Sequence, residues 1–445
     1  MQILKKLFFR DSSFLRLISY LFIWVTYLYF MKNVSPLGIG WLDWYGEKIF
    51  NFSEFLKLNG YLSFYGFSIW TDCLGCSLKS EEWTSSIYTS IHSISFIPYV
   101  LLNYFYGKEV LLVFGPIINV SIIFISGVAT AELSREMIQK NSRLPLYITS
   151  IMCFSFFALN PWTYKMIVQP WPEVNFLMFS LLGFLSFRKN LKNLGLILFF
   201  FAGLSHYQWS ILIAVFYLLL VFASFVTEKD RMLAEYFPAS NLNYAFALKI
   251  VASFLISALS VVVMQFLIGA SIDQTSSSNL MYRIGISGID IHNGGLLGAL
   301  QFLGGNRITN CFNGIDIGII SSSLEIKILI FNCMLSISSM LIISIISISG
   351  VIKMLRESSL SRPVILPLLF SMLSMICILQ QSLSVHLMGY SYIFSVVFSI
   401  GLVTIFASSF HALSSKIMRL IFSAPILVGI LIVCIRVSML TGVNG

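Results

Sequence analysis

Long apolar stretches, separated by short polar ones, run through most of the chain. A helix needs about 20 mostly apolar residues to cross a bilayer, so this pattern predicts a series of membrane-spanning helices. The expected spans cover residues 14–31, 111–132, 144–159, 174–187, 194–206, 209–226, 246–270, 328–349, 363–380, 387–409 and 420–439. The sequence therefore predicts an all-α polytopic membrane protein with about eleven transmembrane helices.

The composition agrees with this fold class. Of the 445 residues, 57% are hydrophobic and only 11% are charged, whereas about a quarter of the residues in soluble domains carry a charge. The net charge of +9 does not indicate nucleic-acid binding, because basic residues in a membrane protein mainly set its orientation. Nucleic acid is therefore not expected as a partner.

Five basic segments determine the predicted orientation. They are residues 134–143, 188–193, 227–231, 353–362 and 415–419. Lysine and arginine concentrate in cytosolic loops, and all five segments are cytosolic only if the apolar stretch 87–106 does not cross the membrane. We therefore expect 87–106 to be a helix packed at the outer surface, or a re-entrant helix. The basic N-terminus is predicted to be cytosolic, and the first span uncleaved.

Three polar segments then face the outer side, at residues 32–110, 160–173 and 271–327. The first is a long outer loop containing short helices, and it is rich in carboxylates and tryptophan. Seven of the eight tryptophans fall on this side. They could stack on sugar rings, bind a lipid or form a thick interfacial belt. An apolar piece of the third segment, 294–305, is expected to fold back over the outer face.

Asp43 is the first candidate for chemistry. It lies between Trp41 and Trp44, shortly after the first span. Partial desolvation beside indole rings raises the proton affinity of a carboxylate, which suits a general base. Glu47 follows one helical turn later and could face the same cavity. The alternative is that Asp43 caps a helix and Glu47 is favoured in its first turn by the helix dipole.

The order of these features resembles the GT-C superfamily of integral-membrane glycosyltransferases, especially its protein O-mannosyltransferase and aminoarabinose transferase branch. After the first span comes Asp43, followed by the helical stretch YGEKIFNFSEFLKLNGY, which ends with a turn at Gly60. The segments 160–162 (NPW) and 170–173 (PWPE) are similar to a proline-containing outer loop that ends in an acid. The stretch GLSHYQW, 203–209, resembles a third family motif but lacks its lysine, and Trp44 stands where the family often has glutamate.

The resemblance covers residues 1–226. It divides the chain into a GT-C-like N-terminal membrane module, 1–226, which includes the outer loop 32–110, and C-terminal membrane helices, 227–445, with the outer loop 271–327. It also implies a bacterial inner-membrane or plasma-membrane protein whose active site lies on the outer, periplasmic face.

The resemblance further implies the transfer of a hexosyl or pentosyl group with inversion. The donor would be a polyprenyl phosphate or diphosphate sugar, and the acceptor a hydroxyl of a glycan, lipid or protein. Asp43 would be the general base, and Glu173 a second catalytic acid that orients acceptor or donor. No acidic pair typical of a catalytic metal is found, so no cofactor is expected, although a divalent cation stays an open alternative.

A leaving lipid phosphate needs positive charge or hydrogen-bond donors nearby. The candidate substrate-binding residues are Trp44, Glu47, Lys165, His206, Arg283, Arg307, His386 and Tyr390. His386 and Tyr390 are four residues apart and would project from one helix face. Lys165 could instead reach the membrane surface without binding substrate, and His386 could be a packed, hydrogen-bonded residue.

Three alternatives to this transferase remain open, one of which is a purely structural membrane subunit. An O-antigen polymerase or ligase also uses lipid-linked sugars, but its main outer loop would come late in the chain. A transporter or lipid flippase would carry ionisable residues in mid-membrane. Cys73 and Cys76 are predicted to form a local disulfide on the oxidising outer face, rather than half of a zinc site with His92 as a third ligand.

Overall fold

The computed structural model describes residues 13–34, 46–59, 68–69, 87–88, 96–138, 146–168, 171–227, 231–238, 243–271, 323–378, 383–412 and 428–432. Nearly all of them are helical. The helices are α1 Ser13–Val34, α2 Gly46–Asn59, α3 Ile97–Tyr106, α4 Lys108–Ile138, α5 Leu146–Ala158, α6 Pro161–Val168, α7 Pro172–Arg188, α8 Lys192–Ser205, α9 Tyr207–Thr227, α10 Arg231–Tyr236, α11 Tyr244–Ser271, α12 Ser323–Glu357, α13 Arg362–Ile378 and α14 Leu383–Ala412.

Five helices in the described part of the chain are long and apolar enough to cross a membrane. They are α4, α9 and the stretches Tyr244–Leu267 of α11, Ser338–Glu357 of α12 and Tyr392–Ser409 of α14. Shorter apolar helices lie in α1, α5, α8 and α13. The predicted all-α membrane class agrees with this architecture. The count of eleven spans stays a prediction, and of the last one, 420–439, only residues 428–432 are described.

The predicted helix at 87–106 is wrong in its first part. Strand β2 Ile87–Tyr88 pairs antiparallel with strand β1 Ser68–Ile69, and helix α3 starts only at Ile97. Pro98 lies in the first turn of α3, where proline is tolerated because the first amide groups of a helix have no intrahelical partner. At ten residues, α3 is too short to span a bilayer, and it packs on α2 and α4.

Helices α7 and α8 form an antiparallel hairpin. The two helices are joined by the turn 189–191, in which Asn190 adopts a left-handed backbone with φ 57°. Phe184 and Phe199, one from each helix, are fully buried with their ring centroids 5.1 Å apart. Helices α4 and α14 pack on α7, and α11 packs on α8. The hairpin therefore brings the start of α7 beside the end of α8.

Small residues allow two helix pairs to approach closely. A Cβ atom on Gly350 of α12 would lie 2.0 Å from the carbonyl oxygen of Gly401 in α14. On Gly203 of α8, it would lie 1.8 Å from the Oγ of Ser257 in α11. Association of membrane helices relies on such small residues, because apolar side chains gain little by leaving lipid. The second contact fixes the end of α8 against α11.

One end of the bundle carries a buried ionic cluster, which we call the arginine end. Glu132 of α4 accepts hydrogen bonds from Arg16 Nε at 3.0 Å and from the Tyr20 hydroxyl at 3.1 Å. Arg135 Nε lies 3.2 Å from the same carboxylate. Because α4 continues to Ile138, Glu132 lies inside a helix rather than at the end of a span, which the hydropathy pattern did not indicate.

Candidate functional site

Two sequence-predicted residues meet at the end of the α7–α8 hairpin opposite the turn 189–191. Glu173 is the second residue of α7, and His206 follows the last residue of α8. The His206 Nε2 and Glu173 Oε1 atoms are 3.3 Å apart. His206 has an extended backbone and donates its amide hydrogen to the Ala202 carbonyl, so the imidazole is held where the chain passes from α8 to α9.

The pair is removed from bulk water. The Glu173 side chain is 2% exposed and that of His206 is 13% exposed. A buried carboxylate is costly unless a partner compensates it, and the first turn of a helix favours negative charge. At this distance an N–H on Nε2 can donate to Oε1. The arrangement can therefore hold and pass on a proton.

Aromatic rings surround the imidazole. The centroids of Phe176, Trp209 and Tyr207 lie 6.3, 6.4 and 6.5 Å from that of His206. Phe176 and Trp209 also stack on each other at 6.1 Å, and Trp209 is fully buried. These rings exclude water from one side of the pair and leave the imidazole a small accessible edge.

A polar group of three side chains lies next to His206. The Tyr207 hydroxyl accepts hydrogen bonds from Gln208 Nε2 at 3.1 Å and from Gln265 Nε2 at 3.3 Å. All three side chains are half-buried. Gln265 comes from α11, so this group joins the start of α9 to the end of α11.

Helices α2 and α3 cover the same end of the bundle. Ile49, Phe55 and Leu56 of α2 are buried in a cluster against which Tyr207 also packs. Asn103 of α3 donates from Nδ2 to Ser53 Oγ at 2.6 Å and to Glu54 Oε1 at 2.8 Å. Helix α2, which begins three residues after Asp43, is thereby attached to the part of the bundle that holds His206.

Asn119 of α4 links α3 to the end of α6. Its Nδ2 donates to the carbonyl oxygens of Met166 at 2.6 Å and Ile167 at 3.0 Å, where the last carbonyls of a helix have no intrahelical donor. The Tyr99 hydroxyl donates to Asn119 Oδ1 at 3.2 Å. Burial raises the pKa of Tyr99 well above its usual value, so the phenol stays protonated and keeps this bond.

The other sequence-predicted site residues are not all described. Backbone positions are known for Glu47 in the first turn of α2, Lys165 in α6, and His386 and Tyr390 in α14, but their side chains are not described. Asp43, Trp44, Arg283 and Arg307 lie outside the described residues, as do Cys73, Cys76 and His92. Among the described residues, no group of three or more His, Cys, Asp or Glu side chains is placed to hold a metal ion.

Sequence reasoning missed the Tyr207–Gln208–Gln265 group. A signal for it is present, since Gln265 and Lys249 are the two residues of α11 with an amide or charged side chain. An amide in an otherwise apolar membrane helix indicates a polar neighbour or a cavity. The pairing with Tyr207 depends on how α9 and α11 pack, and hydropathy does not encode this.

Fold and site together define the class of protein: a helical membrane protein with a buried carboxylate–imidazole pair at one end of its bundle. No family model matches the chain, and comparisons with curated proteins and with solved structures find no match either. The resemblance to the GT-C superfamily therefore stays a prediction.

Proposed function

We propose that the protein is a membrane glycosyltransferase that moves a sugar from a polyprenyl phosphate or diphosphate to an acceptor hydroxyl. The observation that carries the proposal is the buried Glu173–His206 pair at an aromatic end of the bundle that α2 covers. Two segments that the sequence singled out separately, the PWPE stretch and the GLSHYQW stretch, contribute one residue each to this pair. The helix that follows Asp43 packs on the same end.

The proposed reaction is a direct displacement. The Asp43 carboxylate takes the proton of the acceptor hydroxyl, whose oxygen attacks the anomeric carbon and forms the new glycosidic bond. The bond between that carbon and the phosphate oxygen breaks, and its electron pair leaves with the lipid phosphate. The configuration at the anomeric carbon is inverted, and Asp43 later releases its proton to water.

His206 serves the leaving group in this scheme. A protonated imidazole provides a charged hydrogen-bond donor, and such donors stabilise the negative charge that develops on a leaving phosphate. Glu173 is too buried to meet the substrate directly, and its Oε1 already faces Nε2. We therefore assign Glu173 as a positioning residue that acts through His206, which refines the expectation that it orients acceptor or donor.

The proposed orientation follows the basic segments. The arginine end would face the cytosol and the Glu173 end the outer side of a bacterial inner or plasma membrane. Arg16, Arg135, Arg188, Lys189, Lys192 and Arg362 all belong to contacts at the end of the bundle opposite Glu173. Basic residues gather on the cytosolic side of membrane proteins, which supports this assignment.

The test is donor consumption by the purified protein in lipid nanodiscs. Polyprenyl-phosphate sugars carrying a radiolabelled hexose or pentose are incubated with membrane extracts as a source of acceptor, and the released polyprenyl phosphate is measured. We expect turnover by the wild type and its loss in Asp43→Asn. Full turnover in Asp43→Asn would show that Asp43 is not the general base. No turnover of any such donor, together with unchanged surface glycans in cells lacking the gene, would exclude the function.

A further inference from the structure

We propose that Tyr207, Gln208 and Gln265 form the subsite that hydrogen-bonds the hydroxyl groups of the donor sugar. The inference rests on the proposed function and adds to it the residues that recognise the transferred group. Gln208 and Gln265 approach one phenol oxygen from two different helices, at 3.1 and 3.3 Å. This group directly follows His206 along the chain.

The chemistry of the three side chains fits an uncharged, hydroxyl-rich ligand. A primary amide has two N–H donors and a carbonyl acceptor, and a phenol can donate and accept. A sugar hydroxyl also donates and accepts, so amides and phenols match it without a charge. Each glutamine donates one N–H to the Tyr207 hydroxyl, and an amide carbonyl oxygen, such as that of Gln208, can accept from a sugar hydroxyl.

The position of the group fits its proposed role. Gln265 lies near the end of an apolar helix, and a polar side chain there is expensive unless it faces a partner or a cavity. All three side chains remain half-buried, so a ligand can reach them. The ring of Tyr207 stacks beside that of His206 at 6.5 Å and 30°. A sugar bound at Tyr207 would have its phosphate next to the imidazole.

A purely structural role is the competing explanation, since amides also join membrane helices. The two roles differ in what mutation changes. A structural role predicts lower thermal stability with unchanged selectivity among donors. A binding role predicts lost selectivity, because a site built to bond a hydroxyl rejects analogues that lack it or point it elsewhere.

The experiment compares glucosyl, galactosyl and mannosyl donors on one polyprenyl phosphate, since galactose and mannose each differ from glucose in the direction of one hydroxyl. We expect the wild type to prefer one epimer. Gln265→Leu should lower kcat/KM for that donor about tenfold, the effect of one lost hydrogen bond of about 1.4 kcal/mol, and reduce its preference over the other epimers. Gln208→Leu leaves the bond from Gln265 to Tyr207 in place and should act in the same direction.

Ser260→Ala on the same helix is the matched control, because its hydroxyl bonds the Ile256 carbonyl of its own helix. We expect wild-type selectivity from it. If Gln265→Leu or Gln208→Leu folds and keeps the wild-type ratio among donors, the subsite is refuted. The thermal midpoint of each variant identifies loss of folding, and Gln208→Leu provides the test if Gln265→Leu does not fold.

Binding separates this inference from the proposed reaction. Equilibrium binding of a radiolabelled polyprenyl-phosphate sugar is compared with that of the bare polyprenyl phosphate. A preference for the sugar-bearing lipid that Gln265→Leu abolishes supports the subsite even if no transfer is found, and then the proposed function alone fails. Equal binding of both lipids by the wild type refutes the subsite whatever the reaction.

Discussion

Two buried glutamates, Glu132 and Glu173, lie at opposite ends of the bundle and have different partners. The Glu132 carboxylate is within 3.2 Å of the guanidinium groups of Arg16 and Arg135 and accepts a bond from Tyr20. Glu173 faces one imidazole at 3.3 Å. Guanidinium groups keep their charge at every accessible pH, whereas an imidazole gains and loses a proton near neutrality.

The two glutamates differ in whether the charge of their partner is fixed, as in a guanidinium group, or can change, as in an imidazole. Glu132 joins α1 to α4 through its contact with the Arg16 guanidinium group, whose charge does not change with pH. Its role is therefore to hold two helices together. The Glu173–His206 pair depends on one imidazole, a side chain that can donate and accept a hydrogen bond, which a catalytic site can use. The partner, rather than the carboxylate, determines which role a buried glutamate takes.

The largest effect is expected from Glu132→Leu. The substitution leaves two guanidinium groups near an apolar side chain, and removal of one partner from a buried ion pair costs about 3–5 kcal/mol. The thermal midpoint in detergent should fall strongly, and expression should drop. Glu357→Ala is the control, because its pair with Lys353 is more than 40% exposed on both sides and should cost at most about 1 kcal/mol. Equal effects of the two variants would contradict a special role for Glu132.

A smaller loss of stability, with a large loss of activity, is expected from His206→Leu. Glu173 would stay buried without its imidazole, at a cost of about 1–3 kcal/mol, and donor turnover should fall about a hundredfold or more, as for the loss of a group that assists proton transfer or a leaving group. His206→Gln should recover stability more than activity. Wild-type turnover in either folded variant would show that His206 has no role in the reaction.

A double-mutant cycle tests whether Glu173 acts through His206. Glu173→Gln and His206→Gln are made singly and together, and donor turnover and thermal midpoint are measured for all four proteins. If the two residues act as one unit, the double variant should lose little more activity than His206→Gln alone, since effects of residues in contact are not additive. Fully additive losses would show that Glu173 has a separate role.

A moderate effect is expected from Arg16→Lys at the arginine end. Arg16 reaches one carboxylate oxygen of Glu132 from Nε at 3.0 Å and the other from its terminal nitrogen at 3.4 Å. Lysine keeps the charge but cannot make both contacts, so we expect a loss of about 1–2 kcal/mol in unfolding free energy. Donor turnover per folded molecule should not change, because this end is remote from the proposed site.

The smallest effect is expected from Lys57→Ala on α2. Its Nζ is 3.8 Å from Glu54 Oε1, and both side chains are substantially exposed. Such surface pairs contribute about 0–1 kcal/mol, so thermal midpoint and turnover should both stay near wild type.

Asn103→Leu is the contrasting control for Lys57→Ala. It removes two short hydrogen bonds between α3 and α2 and should lower the thermal midpoint by several degrees.

Hydropathy predicts much of the fold but less of the site. Most predicted spans fall on described helices, since apolar length is encoded locally, and Pro172 marks the start of α7. Helices α4 and α12 continue six and eight residues beyond their predicted spans, to Ile138 and Glu357, because hydropathy does not show where a helix extends past its apolar part. Glu173 and His206 were each singled out from motifs. Their contact was not predicted, because it depends on the hairpin turn at 189–191 rather than on the sequence near either residue.

Other features depend on information that the local pattern does not contain. The strand pair at 68–69 and 87–88 forms between residues far apart in sequence, so an apolar stretch alone indicated a helix. The burial of Glu132 requires Arg16, more than a hundred residues earlier. Gln265 had a polar signal, but its partner Tyr207 could be identified only from the packing of α9 on α11.

The lengths of α7 and α8 have a consequence for depth. Their 17 and 14 residues rise about 25 and 21 Å, while the hydrocarbon layer of a bilayer is about 30 Å thick. In the proposed orientation, with the basic turn between them at one water boundary, Glu173 and His206 would lie several ångströms below the opposite boundary. A substrate attached to a lipid chain is already at this depth in the membrane. A water-soluble substrate would have to leave water to reach it. Short helices can therefore select for lipid-borne substrates before any side chain touches them.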